Sequence, residues 1–280
     1  MTSSGTLYVV STPIGNLEDI SIRALNTLKE VDFILCEDTR HSIKLLNHFE
    51  IKKPLISYHK FNEMASCDYI ISRLESGENA ALISDAGTPL ISDPGSILVQ
   101  RLIDYNIEFT VVSGANALLP ALIMSGFSTE NFLFYGFLPK KRSLREKELT
   151  RISEYPFVSI IYCSPHELRE LLLLIESLLP MRRLSLSKEI TKLHETTLRG
   201  TATDILSLLP ENIKGEFVMV IDKCEEESSK INYCEIDDEA LNEMFEEELQ
   251  LTNDKKLALK NLAKKFDVPK RDLYDRLMKN

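Results

Sequence analysis

The sequence predicts an α/β protein of two domains, the first on a parallel sheet and the second on a mixed sheet, followed by a C-terminal helical hairpin. Three observations carry that expectation. The chain has 280 residues, 44% hydrophobic and 27% charged, with ten glycines and eleven prolines, which is globular composition at a length of about two domains. Over the first 125 residues short β-branched runs alternate with apolar positions at helical spacing, the signature of βαβ units. From Phe132 the strands lengthen, and one strongly apolar helix separates two of them.

In chain order, the first domain has expected strands at 6–11, 31–36, 55–58, 80–84 and 108–113. Between them Ile22, Leu25 and Leu28, then Ile43, Leu46 and Phe49, recur at helical spacing. The second domain has expected strands at 132–135, 157–162, 184–187 and 216–221 and a helix at 165–179. Domain limits are expected at 1–118 and 119–225, then an acidic connector at 226–253 and a basic hairpin at 254–280. In the hairpin Leu257, Leu259, Leu262 and Phe266 mark one amphipathic helix, Val268 and Pro269 break it, and Leu273, Tyr274, Leu277 and Met278 mark another.

Composition excludes disorder, collagen-like repeats and a disulfide scaffold. The net charge of −10, from 33 basic and 43 acidic residues, does not exclude a nucleic-acid partner once it is located. Residues 222–250 hold twelve acids against Lys223 and Lys230, which accounts for the whole excess, and 254–280 is net positive. Five cysteines, Cys36, Cys67, Cys163, Cys224 and Cys234, form no C-x-x-C pair, as suits reduced thiols and no zinc site. No apolar run approaches the roughly 20 residues of a membrane span, and no basic, apolar leader opens the chain. A cytoplasmic protein without membrane contact is expected.

The most informative segment is 84–95, SDAGTPLISDPG, directly after the buried strand at 80–84. In an open parallel sheet ligands bind outside the carboxyl ends of the strands, where Gly, Pro and Asp let backbone approach a ligand. Strand one ends in Thr12, Pro13, Ile14, Gly15 and Asn16, and strand five in Ser113, Gly114, Ala115, Asn116 and Ala117. Three small-residue loops at one sheet edge predict a backbone-lined trough. No G-x-G-x-x-G follows the first strand and no G-x-x-x-x-G-K-[ST] occurs, so dinucleotide and P-loop sites are disfavoured. No G-x-S-x-G elbow supports a hydrolase.

Together TPIGNLEDIS, CEDTR at 36–40, SYHKFNE at 57–63, SDAGTPLISDPG, FYGFLP at 134–139 and GEFVMVI near residue 220 resemble the bacterial 16S ribosomal RNA cytidine 2′-O-methyltransferases of the tetrapyrrole-methylase-like superfamily. The resemblance runs from about Gly5 to Asp222. It implies S-adenosylmethionine in the cleft between the two α/β domains, held by Pro13, Asp85, Ala86, Gly87, Pro89, Ile91, Asn116, Ala117 and Tyr162, with no metal. It also implies 16S ribosomal RNA or the small subunit as partner, and a homodimer. Departures are the loop after the second-domain strand, with Cys163 where the family more often has glutamate and Glu167 near which it has arginine, and the strand-five loop, which begins with Ser113 where many relatives have proline. A tetrapyrrole-precursor C-methyltransferase and a non-enzymatic RNA-binding assembly factor on the same fold are the alternatives.

Methyl transfer from a sulfonium is an in-line displacement, so the protein must align donor and acceptor and accept one proton. The acceptor-side candidates are Asp38, Arg40, His59, Glu63 and Lys188, with Glu37 and Glu189 beside them. Each has a structural alternative: Asp38 as cap of a helix starting at Thr39, Arg40 as its ion-pair partner. Lys140, Lys141, Arg142, Arg145, Lys147 and Arg151 form a basic run suited either to phosphate contact or to a solvated helix face.

Overall fold

The computed structural model describes residues 4–224, 236–266 and 268–277, in two units, Met1–Cys224 and Glu225–Asn280. The first unit holds both α/β domains. Strands β1 (Leu7–Val10), β2 (Phe33–Cys36), β3 (Leu55–Ser57), β4 (Ala80–Ile83) and β5 (Phe109–Val112) form one sheet in the order β3-β2-β4-β1-β5, parallel throughout. Every residue of FILC in β2 and AALI in β4 is buried, because helices cover both faces of a parallel sheet. On one face Leu7, Val9, Phe33, Leu35 and Leu82 pack with α3 (Glu63–Glu75) and α4 (Ser96–Asp104). On the other Val10, Ile34, Ala81 and Ile83 pack with α1 (Ile22–Glu30) and α2 (Thr39–His48), the period of two expected of strands.

Helix α5 (Leu118–Ser125) leads into the second domain, where Ala121 and Leu122 pack on Val158, Ile160, Val218 and Val220. Its sheet has the order β6-β7-β10-β8-β9, from β6 (Phe132–Phe137), β7 (Val158–Cys163), β8 (Leu184–Lys188), β9 (Thr196–Gly200) and β10 (Phe217–Ile221). β6 and β7 are parallel and the rest antiparallel. Helices α6 (Arg142–Ser153), α7 (Leu168–Leu178) and α8 (Ala202–Leu208) cover the second face. Nine expected strands lie within two residues of those observed. β9 was not expected: TTLRG is a half-exposed edge strand held to β8 by its backbone, so it needs no alternating apolar pattern. The helix expected at 165–179 begins only at Leu168, after a turn at Pro165.

Among the described residues the second unit holds three helices. Within the stretch read as acidic connector, Asp238–Thr252 form α9, capped by Asp237, whose carboxylate accepts from Ala240 N at 2.7 Å. Leu241 and Phe245, one helical turn apart, enter a core with Ala258, Leu259 and Leu262 of α10 (Lys255–Lys265), with Phe266 just after it, and with Leu273 and Leu277 of α11 (Lys270–Leu277). That i, i+4 pair was the signal beneath the acidic surface. Leu257 and Tyr274, read as apolar-face positions, are exposed. Cys234 and Met278 lie outside the described residues; Cys36, Cys67 and Cys163 are free thiols. Among the described residues no helix is long and apolar enough to cross a membrane.

Candidate functional site

The site grows from the carboxyl ends of β4, β1 and β5. Thr12, just past β1, and Gly87, in the loop after β4, exchange backbone hydrogen bonds of 2.8 and 3.0 Å. Thr88 extends the tie, its hydroxyl 2.9 Å from that of Ser11 and donating to Ala115 O at 3.2 Å. Gly87 has φ +82°, and a Cβ there would lie 3.2 Å from Ile14 Cγ2, so both conformation and space call for glycine. Leu90 and Ser92 also take positive φ, +71° and +74°, a conformation that costs non-glycine residues of order 1 kcal/mol each and persists only where surroundings enforce it. Glu63 supplies one enforcement. Its buried carboxylate accepts from Gly95 N at 2.9 Å and Ile97 N at 3.2 Å, capping α4 where Gly95 has no side chain to do so.

Above these loops lies a cavity of about 440 Å³, in the size class of small-ligand sites. Its first wall is loop: Ile14, Asp85, Ala86, Gly87, Thr88, Ile91, Ser92, Asp93, Asn116 and Ala117. Its second wall comes from the strands of the second domain and the turns after them, chiefly Phe137, Tyr162, Ser164, Ile190, Glu216 and Phe217. The first wall is anionic. Asp85 Oδ1 is buried without a hydrogen-bond partner. Burial pushes the Asp93 carboxyl up, with Ser84 opposing and Asp85 adding repulsion; burial, then Asp93 and Asp85, push Glu37 up. No described lysine or arginine lines the cavity. The second wall is aromatic. Tyr162 makes edge contacts with Phe134 and Phe137, ring centroids 5.0 and 5.6 Å away, and burial, aided by Asp93, pushes its hydroxyl up to about 12.

Of the residues singled out for a cofactor, Asp85, Ala86, Gly87, Ile91, Asn116, Ala117 and Tyr162 line this cavity. Pro13 and Pro89 do not; both are buried in the loops beneath it, and Ile14 faces the cavity where Pro13 was expected. Asn116 Oδ1 is engaged, accepting from Leu119 N at 3.0 Å at the start of α5. Asp93, Thr88, Ser92, Ile14 and Phe137 were missed. For Asp93 the signal was present, since SDAGTPLISDPG repeats its Ser-Asp.

The five acceptor-side candidates are not gathered around the cavity, and none of them lines it. Asp38 caps α2 through Arg40 N at 2.8 Å and pairs with the Arg40 guanidinium at 2.7 Å; those hydrogen bonds hold its carboxyl at about 2. Arg40 is 89% exposed. Glu63 is committed to α4. Lys188 ends β8, its ammonium 5.9 Å from the Phe217 ring. His59 Nδ1 is buried without a hydrogen-bond partner. The basic run is partly spent as well. Arg145 is buried, donating to Pro139 O, Lys140 O and Glu167, while Arg142 pairs with Glu146 and Arg151 with Glu148. Arg145 was expected on a basic surface, but the Glu167 carboxylate and two carbonyls draw it inside.

The family model of Tetrapyrrole (Corrin/Porphyrin) Methylases matches residues 6–206. Two curated relatives bear the name ribosomal RNA small subunit methyltransferase I. That of Bacillus subtilis (strain 168) is 40% identical over 279 residues, 97% of this chain and 93% of that protein. That of Halalkalibacterium halodurans is 42% identical over 274 residues, 97% and 94%. A third of the same name, from Mycoplasmopsis pulmonis, is 45% identical over 215 residues, 76% of this chain and 96% of that protein. Among solved structures, diphthine synthase superposes with a TM-score of 0.61 at 13% identity, covering 79% of this chain and 90% of that one. The uroporphyrin-III-C-methyltransferase of Thermus thermophilus gives 0.53 at 20%, covering 79% and 95%; likenesses at such identity speak for the fold alone. The chain belongs to the tetrapyrrole (corrin/porphyrin) methylase family, in the branch of the ribosomal RNA small subunit methyltransferases I.

Proposed function

We propose that the protein methylates 16S ribosomal RNA with S-adenosylmethionine, at the ribose 2′-oxygen of a cytidine. The observation that carries the reading is the anionic first wall of the cleft, with an unpartnered buried oxygen on Asp85 and no lining lysine or arginine among the described residues. A buried carboxylate oxygen lacking a partner is costly unless something cationic or hydrogen-bonding completes it. The donor's sulfonium and ammonium groups do so, and the cavity volume and the glycine at residue 87 suit a ligand held close to backbone. The group supplies the activated methyl. Asp85, Ala86, Gly87, Asn116 and Ala117 hold it from below, Ile91 flanks it, and Tyr162 covers it with a protonated hydroxyl.

The RNA acceptor is supported by the names of the relatives at 40 to 42% identity, and cytidine 2′-O chemistry by the motif resemblance. Lys140, Lys141 and Lys147, exposed on or beside α6, and Lys255, Lys256, Lys260 and Lys270, exposed in the second unit, supply phosphate contacts. The same reading places the protein in the cytoplasm as a homodimer. The surface for the second copy is edge strand β5 with the start of α5, where Phe109, Val111, Leu119 and Ile123 are exposed. The test is incubation with methyl-labelled S-adenosylmethionine and, separately, small subunits, free RNA and a uroporphyrinogen-type acceptor. Label recovered as 2′-O-methylcytidine from small-subunit RNA is expected. Label only in the tetrapyrrole, or none transferred, refutes the reading.

A further inference from the structure

The largest outward anomaly on the first domain is Phe61, which is 96% exposed. Isolated exposed apolar residues are ordinary; a rigidly presented aromatic at the functional edge of the sheet is not. Phe61 sits in the turn between β3 and α3, and that turn is held at several points. Asn62 Oδ1 accepts from His59 N at 2.8 Å and Asn62 Nδ2 donates to Ser57 O at 2.9 Å. Asn62 N and Glu63 N both donate to His59 O, at 2.9 and 3.0 Å. Glu63 in turn is anchored to Gly95 and Ile97 in the cavity loop. The turn is thus fixed to the same framework as the cofactor wall, and it points a phenyl ring into solvent.

Two further observations say what covers that ring. The second domain closes the β1 end of the cleft: Asn16 N donates to Thr191 Oγ1 at 3.2 Å, and Lys192 lies so close to Gly15 that a Cβ would meet its Cγ at 2.4 Å. The β2 and β3 end instead presents exposed Arg40, Lys60 and Phe61, with Met64 66% exposed one turn further on. Phe61 is also at the opposite edge of the sheet from β5, so it is not part of the surface assigned to the second copy. Its ring lies 6.1 Å, edge-on, from that of His59.

We infer that Phe61 is a stacking platform for an unpaired base of the acceptor RNA strand, with Lys60 beside it for the adjoining phosphate. A ribose within a duplex cannot enter a narrow cleft, so the acceptor nucleotide must leave its stack, and an aromatic face replaces the lost stacking. Because the turn is already ordered, little entropy is lost when a base lands on it. The inference rests on the RNA-methylating reading above and names the part of the site that grips the acceptor.

The test compares wild-type protein with Phe61→Ala and Phe61→Trp on small subunits, with cofactor affinity and sedimentation measured on each. Base stacking on an aromatic predicts a KM for small subunits raised about tenfold or more in Phe61→Ala, near-wild-type KM in Phe61→Trp, and unchanged affinity for S-adenosylmethionine. An unchanged KM in Phe61→Ala, with wild type active, overturns the platform and leaves the methylation reading standing. A change of sedimentation in Phe61→Ala overturns it in favour of a contact between copies. Wild-type protein that methylates no RNA overturns both.

Discussion

The two walls of the cleft are built on opposite principles. The wall from the first domain is backbone and charge: Gly87 and its neighbours form a loop tied across β1, with Asp85 and Asp93 aimed into the space. The wall from the second domain is side-chain surface: Tyr162, Phe137, Ile190 and Phe217 project from strand ends and the turns beside them, and Phe134 braces Tyr162 from behind. A backbone wall fixes where a ligand lies and tolerates no added atoms. A side-chain wall contributes contact area and tolerates exchange of one aromatic for another.

That difference is open to attack, beginning where the effect is largest. Replacing Gly87 by leucine puts a side chain at φ +82° and against Ile14, and affinity for S-adenosylmethionine is expected to fall at least a hundredfold, with the circular dichroism spectrum retained. A folded Gly87→Leu protein of undiminished affinity in calorimetry would place the ligand elsewhere. On the other wall, Tyr162→Phe should cost less than about threefold, because burial keeps the hydroxyl protonated and the ring edges contact Phe134 and Phe137. Tyr162→Ala should cost about tenfold through lost packing. Equal losses in the two would show that the hydroxyl, not the ring, is what the ligand meets.

A smaller effect separates the walls by pH. Burial and Asp85 raise the Asp93 carboxyl above the ordinary carboxylate range, so in the free protein its contribution to stability is present at low pH and is lost as pH rises through that raised value. Binding a cation requires the ionised form and runs the other way. Cofactor affinity should therefore weaken on acidification from neutrality at a pH above that of an ordinary aspartate, while the melting temperature of Asp93→Asn loses that pH dependence. Glu37, Asp85 and Tyr162 are the titratable neighbours, and an affinity that falls on acidification no earlier than in Asp93→Asn would contradict a role for the Asp93 charge in binding.

The same contrast explains what the sequence revealed. The first wall was legible because it is contiguous: residues 84–95 form one loop, and glycine, proline and aspartate after a buried strand announce a ligand-facing turn. The second wall was not, apart from Tyr162. Phe137, Ile190 and Phe217 stand at or beside the ends of β6, β8 and β10, and an apolar residue there reads the same whether it faces core or cleft. Glu63 illustrates the reverse failure, since an acid in a motif-rich segment looks catalytic until Gly95, 32 residues on, proves to need its carboxylate as a cap. In the second unit Leu241 and Phe245 are the core positions of a helix whose other residues are mostly acidic, so its charge masks its periodicity.

The central claim, that the first wall holds the donor by its positive charge, is tested most directly by calorimetry on wild type and Asp85→Asn with S-adenosylmethionine and its neutral-sulfur product S-adenosylhomocysteine. The substitution keeps shape and removes charge, so S-adenosylmethionine should lose about tenfold in affinity and S-adenosylhomocysteine distinctly less. Equal losses for the two ligands, or none for either, would contradict the account.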